Sequence, residues 1–110
     1  MNIQIFSAKK CFDSKKAERW FKERRISFQK IDMDRYGLSL GEFKSVLSSV
    51  GLSALVDETS ASYPLYKYLA NDNARAEKLF EDQSLIKTPV VRNGKSATVG
   101  YCPDVWQSWK

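Results

Sequence analysis

The chain contains no histidine. That removes the side chain that most often acts as a general base near neutral pH, and the usual nitrogen ligand for zinc and copper. Cysteine is scarce too. Cys11 and Cys102 are the only two, too few for a disulfide framework or a structural zinc site, and a reducing compartment would leave both as thiols. No apolar run approaches the ~18 residues of a membrane-spanning helix, and Met1-Asn2-Ile3-Gln4 lacks the apolar core of an export signal. A cytoplasmic protein is expected, without membrane attachment and without a bound metal or cofactor. Its chemistry must rest on thiol, lysine, carboxylate or backbone groups. With 110 residues, 43% hydrophobic and 13% aromatic, residues 1–110 suffice for one core and one domain. No internal repeat, linker or low-complexity stretch divides them.

What is present is positive charge gathered in one place. The formal net charge is +5, and the stretch from Lys9 to Arg25 holds eight basic residues against Asp13, Glu18 and Glu23. The whole excess therefore lies around Cys11, which argues for a local pull on a thiolate or an anionic substrate more than for a general polyanion surface. Cys11 joins a short apolar strand, Ile3 to Phe6, to an amphipathic helix with Ala17, Trp20, Phe21 and Arg24 at helical spacing. A thiol at a helix N-terminus meets unpaired backbone N–H groups and the positive end of the helix dipole, both of which favour thiolate over thiol. Lys9, Lys10, Lys15 and Lys16 push the same way, and Asp13 opposes them. The alternative is an ordinary small loop residue, an odd choice among four lysines. Lys22, Arg24 and Arg25 read as a solvated helix face.

Ile26 to Met33 is a second extended segment, so the first third of the chain reads as a right-handed, parallel βαβ unit. Ser39-Leu40-Gly41-Glu42 has the form of a capping box, followed by Phe43, Val46, Leu47 and Val50 on one face and Gly51 as a stop. Leu52 to Ser62 reads as a connecting loop, and Tyr63 to Leu69 as a short helix with Pro64 in its first turn. Asn71 or Asp72 caps one more helix with Ala76, Leu79 and Phe80 inward, which makes residues about 38–84 a helical insertion. Two β-rich runs then flank Asn93-Gly94, the pair expected to form a two-residue hairpin turn with positive φ. Gly100-Tyr101 ends the second run, and Pro103-Asp104 opens a last helix in which Val105, Trp106 and Trp109 can face the sheet.

The order β-α-β, helices, β-β-α predicts an α/β fold: a four-stranded mixed sheet with flanking helices, in a thioredoxin-like arrangement. There, Pro89 opens the third strand beside the N-terminus of the first helix. A cis Thr88-Pro89 bond would turn the Thr88 backbone toward a ligand at Cys11, the alternative being a trans proline at a strand edge. Cys102 falls on the same rim, either as an adventitious cysteine or as a resolving thiol for Cys11. A disulfide needs Cα atoms about 4.4–6.8 Å apart, closer than two loops flanking a groove normally come, so two free thiols are expected at rest.

Lys-Lys-Cys-x-x-Ser-Lys-Lys-Ala after the first strand, Lys87-Thr88-Pro89-Val90-Val91-Arg92-Asn93-Gly94, and Gly100-Tyr101-x-Pro103-x-x-Trp106 together resemble the arsenate reductase (ArsC)-like group of the thioredoxin superfamily. That group also contains the Spx-type transcription regulators. The resemblance covers nearly the whole chain and implies a nucleophilic thiol at Cys11. In the reductases it attacks arginine-bound arsenate, and glutathione and glutaredoxin resolve the adduct. The chain departs from this pattern in having no arginine between about Thr59 and Tyr66, and in having Thr88 where an arginine precedes the cis-proline, with Lys87 one further back. Lysine cannot reproduce the planar fork of arginine, and Arg92 lies ~10 Å along the strand from Pro89, so arsenate reduction is not the expected physiological activity.

Thr88 and Asp104 also look like glutathione contacts of glutaredoxins, the first pairing with the tripeptide backbone and the second meeting its α-ammonium. The resemblance implies Cys11 as nucleophile, and the local charge and hydrogen-bonding groups add Lys9, Lys10 and Ser14 as thiolate-stabilising groups, Ser14 by donating a hydrogen bond. Lys87, Thr88, Pro89 and Asp104 would bind substrate or glutathione, with Cys102 as a candidate second thiol. Ser14 stands where a Cys-x-x-Cys motif has its second cysteine, which favours a monothiol cycle completed by an outside thiol. The expected partners are a small thiol or disulfide, glutathione as co-substrate, and glutaredoxin. The competing reading is a non-enzymatic Spx-type regulator that binds RNA polymerase through a surface. With no recognition-helix motif, direct nucleic-acid binding is not expected.

Overall fold

A computed structural model describes residues 2–109. Strand β1 (Ile3–Ser7) runs through the middle of a four-stranded sheet of order β2-β1-β3-β4, with β2 at Phe28–Asp32, β3 at Val90–Asn93 and β4 at Ser96–Val99. β1 pairs in parallel with β2, Ile3 opposite Phe28 and Ser7 opposite Asp32. It pairs antiparallel with β3, Phe6 opposite Val90, and β3 pairs antiparallel with β4. The sheet is mixed and thioredoxin-like, as the element order predicts.

Successive side chains of a strand point to opposite faces, and both faces of β1 and β3 are covered. Ile3, Ile5 and Val91 pack against α1 (Phe12–Glu23) and α6 (Pro103–Ser108) through Ala17, Trp20, Phe21 and Trp106. Trp106 meets Trp20 and Phe21 with ring centroids 5.4 and 5.1 Å away. Its indole N–H donates to Thr98 Oγ1 at 2.8 Å, so the ring is buried with its polar group satisfied. Phe6 and Val90 face the other way, into a second core formed with the helical insertion, where Phe43, Val46, Leu55, Leu79 and Leu85 are buried.

The insertion comprises α2 (Leu40–Val50), α3 (Leu52–Leu55), α4 (Tyr63–Lys67), α5 (Asp72–Glu81) and a 3-10 turn at Gln83–Leu85. The Ser39/Glu42 capping box forms in full, and Asn71 caps α5 by accepting from the Ala74 N–H at 2.9 Å. Three expectations need correcting. The Leu52–Ser62 segment is not all loop: Gly51 at φ +81° ends α2 and starts α3 at once, and Leu55 closes against the core. A single helical turn is too short to show periodicity in sequence. Asn93 is the last paired residue of β3, opposite Ser96, so the hairpin turn is Gly94-Lys95. Gly94 alone of the pair has positive φ (+59°), the type II′ pattern in which glycine takes the first central position. Val105 is 43% exposed, because Trp106 and Trp109, three residues apart, occupy the inward face of α6 and Val105 lies ~100° around from Trp106.

The crossover from α1 to β2 turns on Arg25, a non-glycine residue at φ +56°. The Ile26 N–H reaches Phe21 O and the Arg25 N–H reaches Lys22 O, both at 3.0 Å, which is the Schellman pattern. No described helix is long and apolar enough to cross a membrane.

Entry to and exit from the insertion are tied by one side chain. Gln83 accepts the Leu38 N–H through Oε1 at 2.6 Å and donates through Nε2 to Leu38 O at 2.9 Å and Phe80 O at 3.2 Å. Gly37 passes so close, at φ +66°, that an added Cβ would stand 2.5 Å from Gln83 Oε1. Gln83→Ala should therefore lower the unfolding free energy by about 1–3 kcal/mol, the cost of stranding buried backbone groups. Gly37→Ala should destabilise as well, and the double variant should lose less than the sum because both act on one clamp. Urea unfolding of the four proteins measures this, and strict additivity would show that the clamp is not the shared element.

Candidate active site

Ser7 ends β1, and the chain turns through Ala8, Lys9 and Lys10 into α1. Cys11 is the N-cap residue, at φ −90° and ψ 113°, with its N–H donating to Ala8 O at 3.1 Å and its side chain free of capping duty. Ser14, in the first turn of α1, is only 1% exposed, and its Oγ accepts the Ala8 N–H at 3.2 Å. The bond the structure gives Ser14 is to the loop backbone, so the serine holds the turn that presents Cys11.

Across from the turn, the Thr88-Pro89 peptide is cis. The segment is fixed on both sides, by the Lys87 N–H donating to Leu55 O and the Gly100 N–H donating to Pro89 O, each at 2.8 Å. Pro89 is fully buried. The Cys11 thiol donates to Thr88 O at 3.3 Å, joining residues 77 apart in sequence. Loss of the thiol proton removes that bond and frees the Thr88 carbonyl to accept from a ligand.

Cys11 and Thr88 open on a cavity of about 760 Å³. It lies beyond the C-terminal ends of the parallel strands β1 and β2, where α/β sheets commonly place ligands. Its wall is built from Ala8 and Lys10 before α1, Met33 and Asp34 after β2, Asp57 and Thr59 after α3, and Gln83, Ser84 and the stretch from Ile86 to Thr88. The charged members are Lys10 and Lys87 against Asp34 and Asp57. Both carboxylates are held: Asp34 Oδ2 accepts the Lys9 N–H at 3.1 Å, and Asp57 Oδ1 accepts the Thr59 N–H at 2.9 Å and the Thr59 hydroxyl at 2.6 Å. Asp34, Asp57 and Gln83 carry no signal in the sequence, since each sits in an ordinary polar turn whose proximity to Cys11 depends on the packing of the two cores.

The predicted site residues divide. Cys11, Lys10, Lys87 and Thr88 share the cavity wall, with Pro89 buried directly behind Thr88. Lys9 instead lines a groove on another side with Lys15, Glu18 and Lys30, and Lys16 lies over the rings of Phe12 and Tyr101. Asp104 is exposed in the first turn of α6 and is not part of the cavity wall. Cys102, the N-cap residue of α6, is half-buried, and its thiol donates to Val99 O at 3.3 Å. Burial pushes the Cys102 thiol above its ordinary pKa and the Asp13 carboxylate adds to this, while Lys87 and a hydrogen bond with Thr98 pull it back. Both cysteines are free thiols.

No arginine lines the cavity. Arg92 is engaged elsewhere, with Gln4 Oε1 at 2.7 Å and Ser45 Oγ at 3.4 Å. Arg75 lines a separate cavity of about 260 Å³ formed by α3, α4 and α5. Among the described residues, no group of three or more His, Cys, Asp or Glu side chains converges as a metal site.

Comparison with known proteins places these features. The sequence model of the ArsC family matches residues 6–109. A global transcriptional regulator, Spx 2 of Oceanobacillus iheyensis, is 24% identical, over 100% of this chain and 94% of the regulator. Among solved structures, an ArsC-family-related protein of Bacteroides fragilis superposes with a TM-score of 0.85 at 20% identity, over 100% of this chain and 98% of that one. The arsenate reductase of Vibrio cholerae superposes with a TM-score of 0.83 at 22% identity, over 98% and 97%. At such identities the superpositions speak for the fold. The family assignment comes from the sequence match, which runs from the end of β1 through the Cys11 loop and the Thr88-Pro89 turn to the residue after α6, and by that match the chain belongs to the ArsC family.

Proposed function

We propose that the chain is a monothiol oxidoreductase, in which Cys11 exchanges with a disulfide or glutathione adduct and an outside thiol of the glutathione or glutaredoxin class completes the cycle. The observation that carries this reading is the placement of Cys11. It is the one thiol in the wall of the large cavity, and its sulfur lies against the carbonyl that precedes the cis-proline. In the first step the Cys11 thiolate attacks one sulfur of R–S–S–R′. A new S–S bond forms, the old one breaks, and R′S⁻ leaves with its electron pair. In the second step the outside thiolate attacks the Cys11 mixed disulfide and returns Cys11 as thiolate. Over the two steps one outside thiolate, R″S⁻, is consumed, R′S⁻ is released, R–S–S–R′ is replaced by R–S–S–R″, and Cys11 returns unchanged.

The charge of the wall supports a glutathione-like ligand. Glutathione carries two carboxylates and one ammonium, and Lys10 and Lys87 facing Asp34 and Asp57 offer complements to both signs. The Thr88 carbonyl, once released by the thiol, can accept a ligand N–H. The same wall is poorly suited to a tetrahedral oxyanion, since bidentate arginine contacts are absent and two fixed carboxylates repel it. A second reading, a transcription regulator acting through RNA polymerase, is favoured by the Spx relative.

Three outcomes follow. Iodoacetamide at neutral pH should label Cys11 before Cys102, and the gap should narrow as pH rises, because burial pushes the Cys102 thiol above its ordinary pKa. Faster labelling of Cys102, read by peptide mass, would remove the case for Cys11 as the activated nucleophile. In a coupled assay with glutathione and glutaredoxin, arsenate should give no Cys11-dependent turnover, whereas a glutathione mixed disulfide should be reduced and Cys11→Ser should lower that reduction to background. The tagged chain should not retain RNA polymerase from cell extract above a control. Stoichiometric, salt-resistant retention that survives Cys11→Ser would favour the regulator.

A further inference from the structure

Outside the cavity wall, at the start of α1, two aromatic rings stand open to solvent around one ammonium. Phe12 follows Cys11 directly and is 74% exposed. The first position of a helix gains nothing from a phenyl ring, which would be better replaced there by a small or acidic side chain. Tyr101, 40% exposed, is held edge-on against the buried Trp106 at 5.5 Å and 85°. Lys16, one turn after Phe12, places Nζ 5.7 Å from the Phe12 centroid and 5.5 Å from that of Tyr101. It makes no ion pair among the described residues. Two rings and an uncompensated charge are thus arranged before any partner arrives, and neither ring is part of the cavity wall.

We infer that Phe12, Lys16 and Tyr101 form a docking shelf for a polypeptide, so that the disulfide Cys11 attacks is carried by a protein cysteine flanked by an apolar side chain and a carboxylate. The shelf rests on Cys11 being the nucleophile proposed above, and it names the substrate class. The polar cavity alone accommodates a small zwitterion. The shelf adds apolar area and a cation that lie outside the cavity wall. Covering an exposed phenyl ring provides the drive, and the Lys16 ammonium selects a carboxylate. The chemistry is the exchange already described: the Cys11–substrate S–S bond forms, the substrate disulfide breaks, and the second substrate sulfur departs as thiolate.

The test compares two probes, glutathione and a short peptide containing Asp-Phe-Cys, each joined through its cysteine to the same thionitrobenzoate leaving group. Release is followed by absorbance, and each rate is divided by that of the same probe with a small free thiol. The peptide should react about tenfold faster than glutathione on this scale, the factor that ~1.4 kcal/mol of added binding provides. Phe12→Ser should bring the ratio close to one. Lys16→Gln, or added salt with the unaltered chain, should lower it by about threefold, as for a partly exposed charge contact. Equal rates with both probes, or a ratio unchanged in Phe12→Ser, would overturn the shelf while leaving the nucleophile in place. Absence of Cys11-dependent release from either probe would overturn the nucleophile and the shelf with it.

Discussion

Ile5 and Phe6 are neighbours in sequence, and both are fully buried, which a pleated strand permits only when each face of its sheet is covered. That double burial of β1 is the constraint on which the rest of the structure depends. Ile5 requires α1 and α6 on one face, and Phe6 requires the helical insertion on the other. Because β1 is central, its C-terminal end emerges between the two layers, and the turn that carries Cys11 must rise there. The cavity is a consequence of the same arrangement. It is the gap left at the strand ends where α1, the turn after β2 and the end of the insertion meet without closing over one another.

Charge is distributed differently from what the run of lysines suggests. The excess between Lys9 and Arg25 spreads around α1: Lys15, Arg19 and Lys22 join Lys30 along grooves at the β2 edge, where Lys30 meets Glu18 at 3.3 Å. The cavity itself is balanced, two lysines against two carboxylates. A balanced wall is complementary to ligands that carry both signs, and no arginine lines it. Shared architecture therefore leaves the choice of substrate to a handful of side chains at one end of the sheet.

The two thiols differ in the same local way. Cys11 and Cys102 are both N-cap residues of helices and each donates to a carbonyl oxygen, at Thr88 and Val99. Their surroundings distinguish them. Cys11 lines the open cavity, whereas Cys102 packs against the aromatic core, where burial disfavours its thiolate. Ser14 contributes by holding Ala8, so the residue standing where a second cysteine would be has become part of the frame that presents the first.

Features encoded over a few consecutive residues were legible from the sequence. The Ser39 capping box, the stop at Gly51, the strand before Cys11 and the helix after it, the order of the sheet elements and the helix-opening Pro103 all follow from spacing and backbone preference within about one helical turn or one strand. The cis Thr88-Pro89 bond was anticipated from the element order. What lay beyond reach was decided by contacts between distant segments. The hairpin settles one residue later than the Asn-Gly pair suggests, because register is set by pairing with β1 and by which face of Val90 and Val91 is buried, and a slip of one would exchange those faces. Val105 yields the inward face of α6 to the larger Trp106 and Trp109. Asp34, Asp57 and Gln83 reach the cavity only because two cores, formed by different helices, dock on opposite sides of β1. The sequence by itself determined which elements form and where a thiol meets a helix end, since those are local energies. Only the tertiary structure decided which charges face that thiol, because the contact joining Cys11 to Thr88 spans 77 residues and exists only once both layers are packed.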